Sequence, residues 1–385
     1  MIMDNNEYPV RDFTNTRSFP GTANNELDTV LHGFEKIQSV SSFVFAVALL
    51  AVAAAFSRMD WRFGLILWGF FLLDWALLAL LPVYKKSFGP AKPPVTLLVA
   101  GRSLAALLPW PANLVLQVLG TVLVIYGFWI EPHRIQVSRQ KLVSNKLHSG
   151  TKLRVLHLGD LHVERLTERE RQLTSLVKSL QPDLILFSGD FLNLSYLTDP
   201  AAQAAAREVM QAWQAPLGVF AVKGSPAVDL EESVARVLDG LPIQLLEQDV
   251  VTLAVGEDAI RIAGLTCSHK PFIDFPLLRQ ILESPSDSFT ILLYHSHDLA
   301  PQAAGLDIDL QLSGHTHGGQ VRLPGLGAIV TGSLYGRRFQ SGKYSLGNMT
   351  LYITRGIGLE GAGAPRVRFL CPPEITVWEI SGSDS

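Results

Sequence analysis

Apolar positions fall into two regimes along the chain. Over 37–56, 63–84, 95–110 and 113–130 they run almost unbroken; from about residue 152 they come in short runs between polar, helix-like stretches. An uncharged run such as 37–56 is long enough to cross a hydrocarbon core of ~30 Å. The second run carries Asp74 near its middle, and the shorter third run holds Arg102. Three or four membrane spans are expected, the third being the weakest because a charge at bilayer depth is costly. Asp74 and Arg102 can offset each other as a pair; the alternative is that Arg102 snorkels while Asp74 faces a neighbouring helix. The stretch 1–36 is polar, rich in Asn, Thr and Asp, and lacks the basic start of a signal peptide, so it is expected to be a poorly ordered tail. The organisation read from the pattern is a tail (1–36), a transmembrane helical region (37–130), a connector (131–151) and a globular domain (152–380).

Lys and Arg in the short loops orient the spans. With four spans, the tail, the loop bearing Lys85, Lys86 and Lys92, and the segment bearing Arg134, Arg139, Lys141 and Lys146 share one side; Arg58 and Arg62 lie on the other. The positive side faces the cytoplasm, which predicts an inner- or plasma-membrane protein with a cytoplasmic C-terminal domain.

In the globular part, Val/Ile/Leu runs alternate with helical stretches at 167–180 and 201–213, the signature of a layered α/β fold. A strand over 155–158 leads into Asp160 and His162. Residues two apart on an extended chain share a face, so this carboxylate and imidazole can converge on one ion. A buried strand at 184–187 is followed by Asp190, another strand ends at Gly224, and runs flanking a Gly-Glu-Asp turn read as a hairpin. Two further strands lead to His295 and, past Gly314, to His315 and His317. Four strands thus deliver Asp or His at their carboxyl ends, where open α/β sheets bind ligands. The pattern points to a metal site.

Composition narrows the picture. Net charge is −3 with no basic block, so nucleic acid is not an expected partner. The two cysteines, Cys267 and Cys371, read as reduced, buried thiols.

The strings GDLH (159–162), GDFLN (189–193) and GHTHGGQ (314–320), with His295, resemble the calcineurin-like metallophosphoesterase family over about 131–379. The C-terminal string RGIGLEGAGAPRVRFLCPPEITVWEI is similar to a branch with membrane-bound bacterial phosphodiesterases and UDP-diacylglucosamine diphosphatases. The resemblance implies a four-layer α/β/β/α sandwich and a dinuclear centre of Mn, Fe or Zn, metals suited to mixed N and O ligands. Asp160, His162, Asp190 and His317 would hold one ion; Asp190 as a bridge, His295 and His315 the other. Asp190, His295 and His315 would also be catalytic. One departure stands out: where the family has an Asn-His pair, this chain has Ser225 and Pro226. Ser225, Asn193 and Asp229 are candidate substitutes at the second metal. His297, Arg337 and Arg338 are candidate substrate contacts, against a supporting role for the His and plain solvation for the Arg pair. His269 carries the same two readings as His297, and His157 is expected to be packed inside its strand.

The function implied is hydrolysis of a phosphodiester or phosphoanhydride at a bilayer, with a lipid-linked nucleotide as one substrate class. A soluble substrate and a non-catalytic metal-binding scaffold are the competing readings.

Overall fold

The computed structural model describes residues 8–23, 25–284 and 286–383. Asn25 caps helix α1 (Glu26–Glu35) by accepting from Asp28 N. Helices α2 (Ser42–Ala55), α3 (Trp61–Ala79), α4 (Lys92–Ala105) and α5 (Trp110–Val124) follow and pack around Phe45, Leu67, Phe71, Val95 and Phe128. Among the described residues two helical stretches, 61–79 and 110–133, are long and apolar enough to cross a membrane, and α1 with α2 would make a third only as one span bent by 105°. Helices α2 and α4 have 14 residues each, about 21 Å at ~1.5 Å per residue, short of a full hydrocarbon core. The expected bundle of three or four full spans is therefore reduced to two helices of spanning length, or three with the bent pair.

Asp74 and Arg102 meet. The guanidinium donates to both carboxylate oxygens, at 2.5 and 2.6 Å, and its remaining nitrogen reaches Gln117 O at 2.7 Å. Both side chains are buried, and a buried charge is tolerated when it is paired and hydrogen-bonded throughout.

The stretch expected to be a connector forms strand β1 (Gln136–Ser144). Next come β2 (Lys152–Leu158), α6 (Glu168–Leu180), β3 (Leu184–Phe187), α7 (Pro200–Gln211), β4 (Val219–Ala221), α8 (Glu231–Leu238) and β5 (Gln244–Leu245). Thr167 and Glu170 form a capping box on α6, while Asp199 caps α7 just ahead of Pro200. The hairpin is β6 (Gln248–Val255) and β7 (Asp258–Leu265), followed by α9 (Pro271–Ile281), β8 (Phe289–Leu293) and β9 (Leu310–Ser313). A small ribbon, β10 (Arg322–Leu323) with β11 (Gly327–Ala328), precedes β12 (Gly342–Leu346), β13 (Met349–Ile353) and β14 (Glu374–Gly382).

Two six-stranded mixed sheets result, in the orders β1-β14-β2-β3-β4-β5 and β12-β13-β9-β8-β7-β6. Strand alternation builds the layers. Leu184 and Leu186 face the second sheet's Ile262, Ile291 and Leu312, while Ile185 and Phe187 face Leu173, Val209 and Trp213 of the first helical layer. On the other side Leu292 and Ala263 meet Leu278 of α9. Strands β2, β3 and β4 run parallel to one another, as do β7, β8, β9 and β13, so their carboxyl ends converge at one rim between the sheets.

The described part of the N-terminal tail is also ordered, contrary to expectation. Tyr8 stacks on Phe339 at 4.9 Å and Phe13 meets Tyr335 edge-on at 5.3 Å. Gly21 O accepts from Ala227 N, and Leu31 O accepts from Gly363 N. These aromatic and backbone anchors lie hundreds of residues away in sequence, so the tail's composition gives no hint of them.

Candidate metal centre

The rim loops gather two clusters of ligand-type side chains, Asp160–His162–Asp190–His317 and His269–His295–His315. Within each cluster the ligand atoms lie within 4.8 Å of one another. Asp160 and His162 leave β2, Asp190 leaves β3, His269 leaves β7, His295 leaves β8, and His315 and His317 leave β9. Six of these seven have left-handed φ values: Asp160 at 48°, His162 at 42°, Asp190 at 61°, His269 at 60°, His315 at 72° and His317 at 51°. Non-glycine residues are rarely held so, and such strain concentrates at functional sites. Glycines make the approach possible. A Cβ on Gly224 would lie 2.2 Å from Asp190 Oδ1, and one on Gly314 2.7 Å from Asp160 Oδ1.

The hydrogen bonds set which ring atoms face inward. His295 Nδ1 donates to Ser188 O at 2.8 Å, which turns its Nε2 inward, 3.4 Å from Asp190 Oδ2. His315 Nε2 donates to Gly332 O at 3.0 Å, turning its Nδ1 inward. Histidine ligands are characteristically oriented through the other ring nitrogen in this way. In the first cluster His162 Nε2 faces His317 Nε2 at 3.0 Å and Asp190 Oδ2 at 3.3 Å. Asp160 Oδ2, buried, has no hydrogen-bond partner. Converging imidazole nitrogens and an unpartnered buried carboxylate oxygen fit a divalent cation.

Burial and the neighbouring charges shift the titration of these groups. Burial pushes Asp160 up to about 6, with the Asp190 carboxylate adding to the rise. For His295 burial acts against the charge, but Asp190 and Asp160 overcome it and hold the ring at about 9. Burial opposes ionisation of Asp190 too, yet His295 and His162 hold it well below the usual carboxylate range. His315 is brought down to about 3 by burial and by neighbouring His295. A cation bound here would compete with protons for these groups.

Asp160, His162, Asp190, His295, His315 and His317 come together at this rim. The other candidates are placed as follows. Ser225 Oγ sits among the second cluster, 3.1 Å from both His295 Nε2 and His269 Nε2. Pro226 is exposed beside it. Asn193 is engaged away from the clusters: its amide donates to Leu359 O, and its Oδ1 accepts from Ser195 N and Arg366 Nη2. Asp229 accepts from the backbone N–H groups of Asp190, Phe191 and Gly224, so it shapes the loops. His297 is fully buried, against Phe339 and 3.2 Å from Asp298, rather than open to a substrate. Arg337 and Arg338 are exposed and do not line the chamber that reaches His162, Asp190, His315 and His317. His157 is packed, its Nε2 3.1 Å from Ser188 Oγ.

Sequence reasoning passed over several supporting groups. Buried Glu164, two residues beyond His162, pairs with Arg366 at 2.8 Å and accepts from Phe88 N in the loop between α3 and α4. Arg368, fully buried, donates to the carbonyls of Arg355 and Gly358 and holds the C-terminal loop. The only signal was that buried Glu and Arg are rare unless paired, and burial cannot be read from isolated loop residues.

A family model described as calcineurin-like phosphoesterase matches residues 153–319. Metallophosphoesterase YkuE of Bacillus subtilis is 29% identical over 270 residues, covering 67% of this chain and 90% of YkuE. Phosphodiesterase YaeI of Escherichia coli is 25% identical over 274 residues, covering 66% and 92% respectively. UDP-2,3-diacylglucosamine pyrophosphatase LpxG of Chlamydia muridarum is 24% identical over 320 residues, covering 66% and 91%. Matched motifs, two mixed sheets and a rim of convergent Asp and His together identify the C-terminal part of this chain as a calcineurin-like metallophosphoesterase domain, a metal-dependent hydrolase of phosphoric esters or anhydrides.

Proposed function

We infer that this protein is anchored in a membrane by the helices over 37–130 and hydrolyses a phosphodiester or phosphoanhydride of a lipid-linked substrate. The observation carrying this reading is a chamber of about 400 Å³. It reaches Asp190, Ser225, His162, His315 and His317; the rest of its lining is mainly apolar, with Leu27 and Leu31 of α1, Leu194, Val321, Ile329, Val330 and Val367, interrupted by Asn25, Asp28, Gln320, Thr331 and Glu360. Val367 packs against the helical bundle, and Arg368 N donates to Gly127 O, so the chamber wall continues into the apolar helices. Ile329 and Val330 are more than half exposed, as are Val115, Val118 and Val122 on α5. A set of ligand-type residues joined to a mainly apolar lining suits a phosphate carrying acyl chains. The relation to LpxG, whose named substrate is a diacylated nucleotide sugar, favours the same class.

Divalent ions at the two clusters would supply an acidified water nucleophile and polarise the phosphoryl oxygens. Asp190 would hold the two sites together, His295 and His315 would present Nε2 and Nδ1 to the second, and the walls from α1 would exclude bulk water.

Full-length protein in detergent, loaded with Mn²⁺, tests the substrate class. A diacylated nucleotide diphosphate ester is expected to exceed its deacylated counterpart in kcat/KM by ~10² or more, since four buried methylenes at ~0.8 kcal/mol each supply that factor. Equal values would favour a soluble substrate. No turnover of either, with metal bound, would favour the scaffold reading.

Orientation rests on Lys85, Lys86, Lys92 and the basic residues of 134–146. Contacts of Lys86 with Glu168 and of Phe88 with Glu164 support putting that loop and the catalytic domain on one side. A reporter fused after Ser385 is expected to behave as cytoplasmic; activity only outside the cytoplasm would reverse the orientation.

A further inference from the structure

The second cluster lacks the asparagine that the family resemblance leads one to expect, and neither Asn193 nor Asp229 is turned toward it. We propose that His269 is the replacement ligand, so that the second ion is held by three imidazoles, His269, His295 and His315, with the Asp190 carboxylate. This rests on the metallophosphoesterase reading of the site.

Four donor atoms surround one point. Ser225 Oγ stands there, 3.1 Å from His269 Nε2, 3.1 Å from His295 Nε2, 3.5 Å from His315 Nδ1 and 3.4 Å from Asp190 Oδ2. His295 Nδ1 and His315 Nε2 each face a backbone carbonyl outside the cluster, which turns His295 Nε2 and His315 Nδ1 inward to the same point as Asp190 Oδ2. A cation at that point would be within reach of all four atoms, and the serine hydroxyl is small enough to turn aside or join the coordination. His269 is itself buried, with its ring 4.3 Å from that of His315 and Gly21 closing over it. Its φ of 60° matches those of the ligand residues on the neighbouring loops. It leaves β7, which runs parallel to the strand that delivers His295. Position, strain and donor direction agree, although GLTCSHK contains no family ligand motif.

The experiment uses full-length protein in detergent, stripped of metal and reloaded with Mn²⁺, with stoichiometry from elemental analysis and coupling from low-temperature EPR. Wild type is expected to hold two Mn per chain with an exchange-coupled signal. His269→Ala is expected to hold one, with an uncoupled signal, and the retained ion reports an intact fold. Ser225→Asn in the His269→Ala background is expected to restore the second ion. Should the alanine variant unfold, His269→Asn provides the measurement: its second ion should bind more weakly by at least the ~10–100-fold that losing an outer partner costs. Two tightly bound, coupled Mn in His269→Ala would overturn the assignment, whatever happens to activity. Two retained ions with an altered pH–rate profile would overturn it in favour of a proton-carrying role. Fewer than two Mn in wild type would overturn the dinuclear reading and this assignment together.

Discussion

Asp190→Ala is expected to abolish turnover and remove most of the bound metal. Its carboxylate stands between the clusters, Oδ2 being 3.3 Å from His162 Nε2 and 3.4 Å from His295 Nε2. No other described side chain faces both sets of imidazoles as closely, so deletion should loosen both ions at once. The loss in kcat should exceed the ~10²–10³ that removal of a single transition-state donor typically costs. Asp190 Oδ1 also accepts from Ser225 N at 2.7 Å, and leaving that group unpaired would add ~1–3 kcal/mol of destabilisation. Asp190→Asn is the companion variant, because it keeps an acceptor for Ser225 while removing the charge. Elemental analysis and hydrolysis of an aryl phosphodiester with Mn²⁺ are the measurements, with circular dichroism to check the fold. Near-normal metal content and turnover in both variants would sink the dinuclear model.

The second large effect concerns the leaving group. At the position where the family resemblance implies a histidine, this chain has Pro226, exposed and without a proton to give. Among the histidines considered as alternatives, His297 is fully enclosed and His269 points at the ligand cluster. General acid assistance contributes ~10²–10⁴-fold, and that factor should be missing for leaving groups that depart as strong bases. Anhydrides and aryl esters should therefore be cleaved far faster than alkyl phosphates. A plot of log rate against leaving-group pKa should fall steeply for the natural sequence. The double variant Ser225→Asn with Pro226→His should flatten it, provided the loop held by Asp229 and Gly21 accepts the change. A flat plot for the natural sequence would mean that another group already supplies the proton, and the reading of this loop would be wrong.

The two predictions differ in how far each was legible in the chain. Asp160, His162, Asp190, His295, His315 and His317 could be found because each lies within four residues of the end of a short buried strand. Strand period and the parallel α/β rule place such residues at one rim. The alternation of apolar runs likewise determined β3 at 184–187, the β6–β7 hairpin and the helices over 168–180 and 200–211. Two helices of spanning length were also legible, since length and lack of charge are local properties.

What remained hidden depends on contacts between distant residues. Strand β1 shows an exposed, mixed pattern, and it exists because β14 comes back some 240 residues later to pair with it, Gln136 opposite Glu374. The tail before α2 is polar by composition, yet Tyr8, Phe13 and Leu31 are held by groups at 335–363. Asn193 and Asp229 were sensible candidates by residue type, but a side chain's hydrogen bonds are set by the loop opposite, and both are used to hold backbone. Arg102 finds Asp74 because two helices cross with the charges at the same depth, where leaving either alone would be costly. His269 is the clearest case. Its own strand and loop left it two readings, with a supporting role favoured over substrate contact; only the packing of β7 beside β8 brings its Nε2 to the ring nitrogens of His295 and His315. Local sequence determined which residues stand at the strand ends, because periodicity acts over a few residues. Tertiary structure decided which of them share a centre, because donor direction depends on chains brought together from far apart.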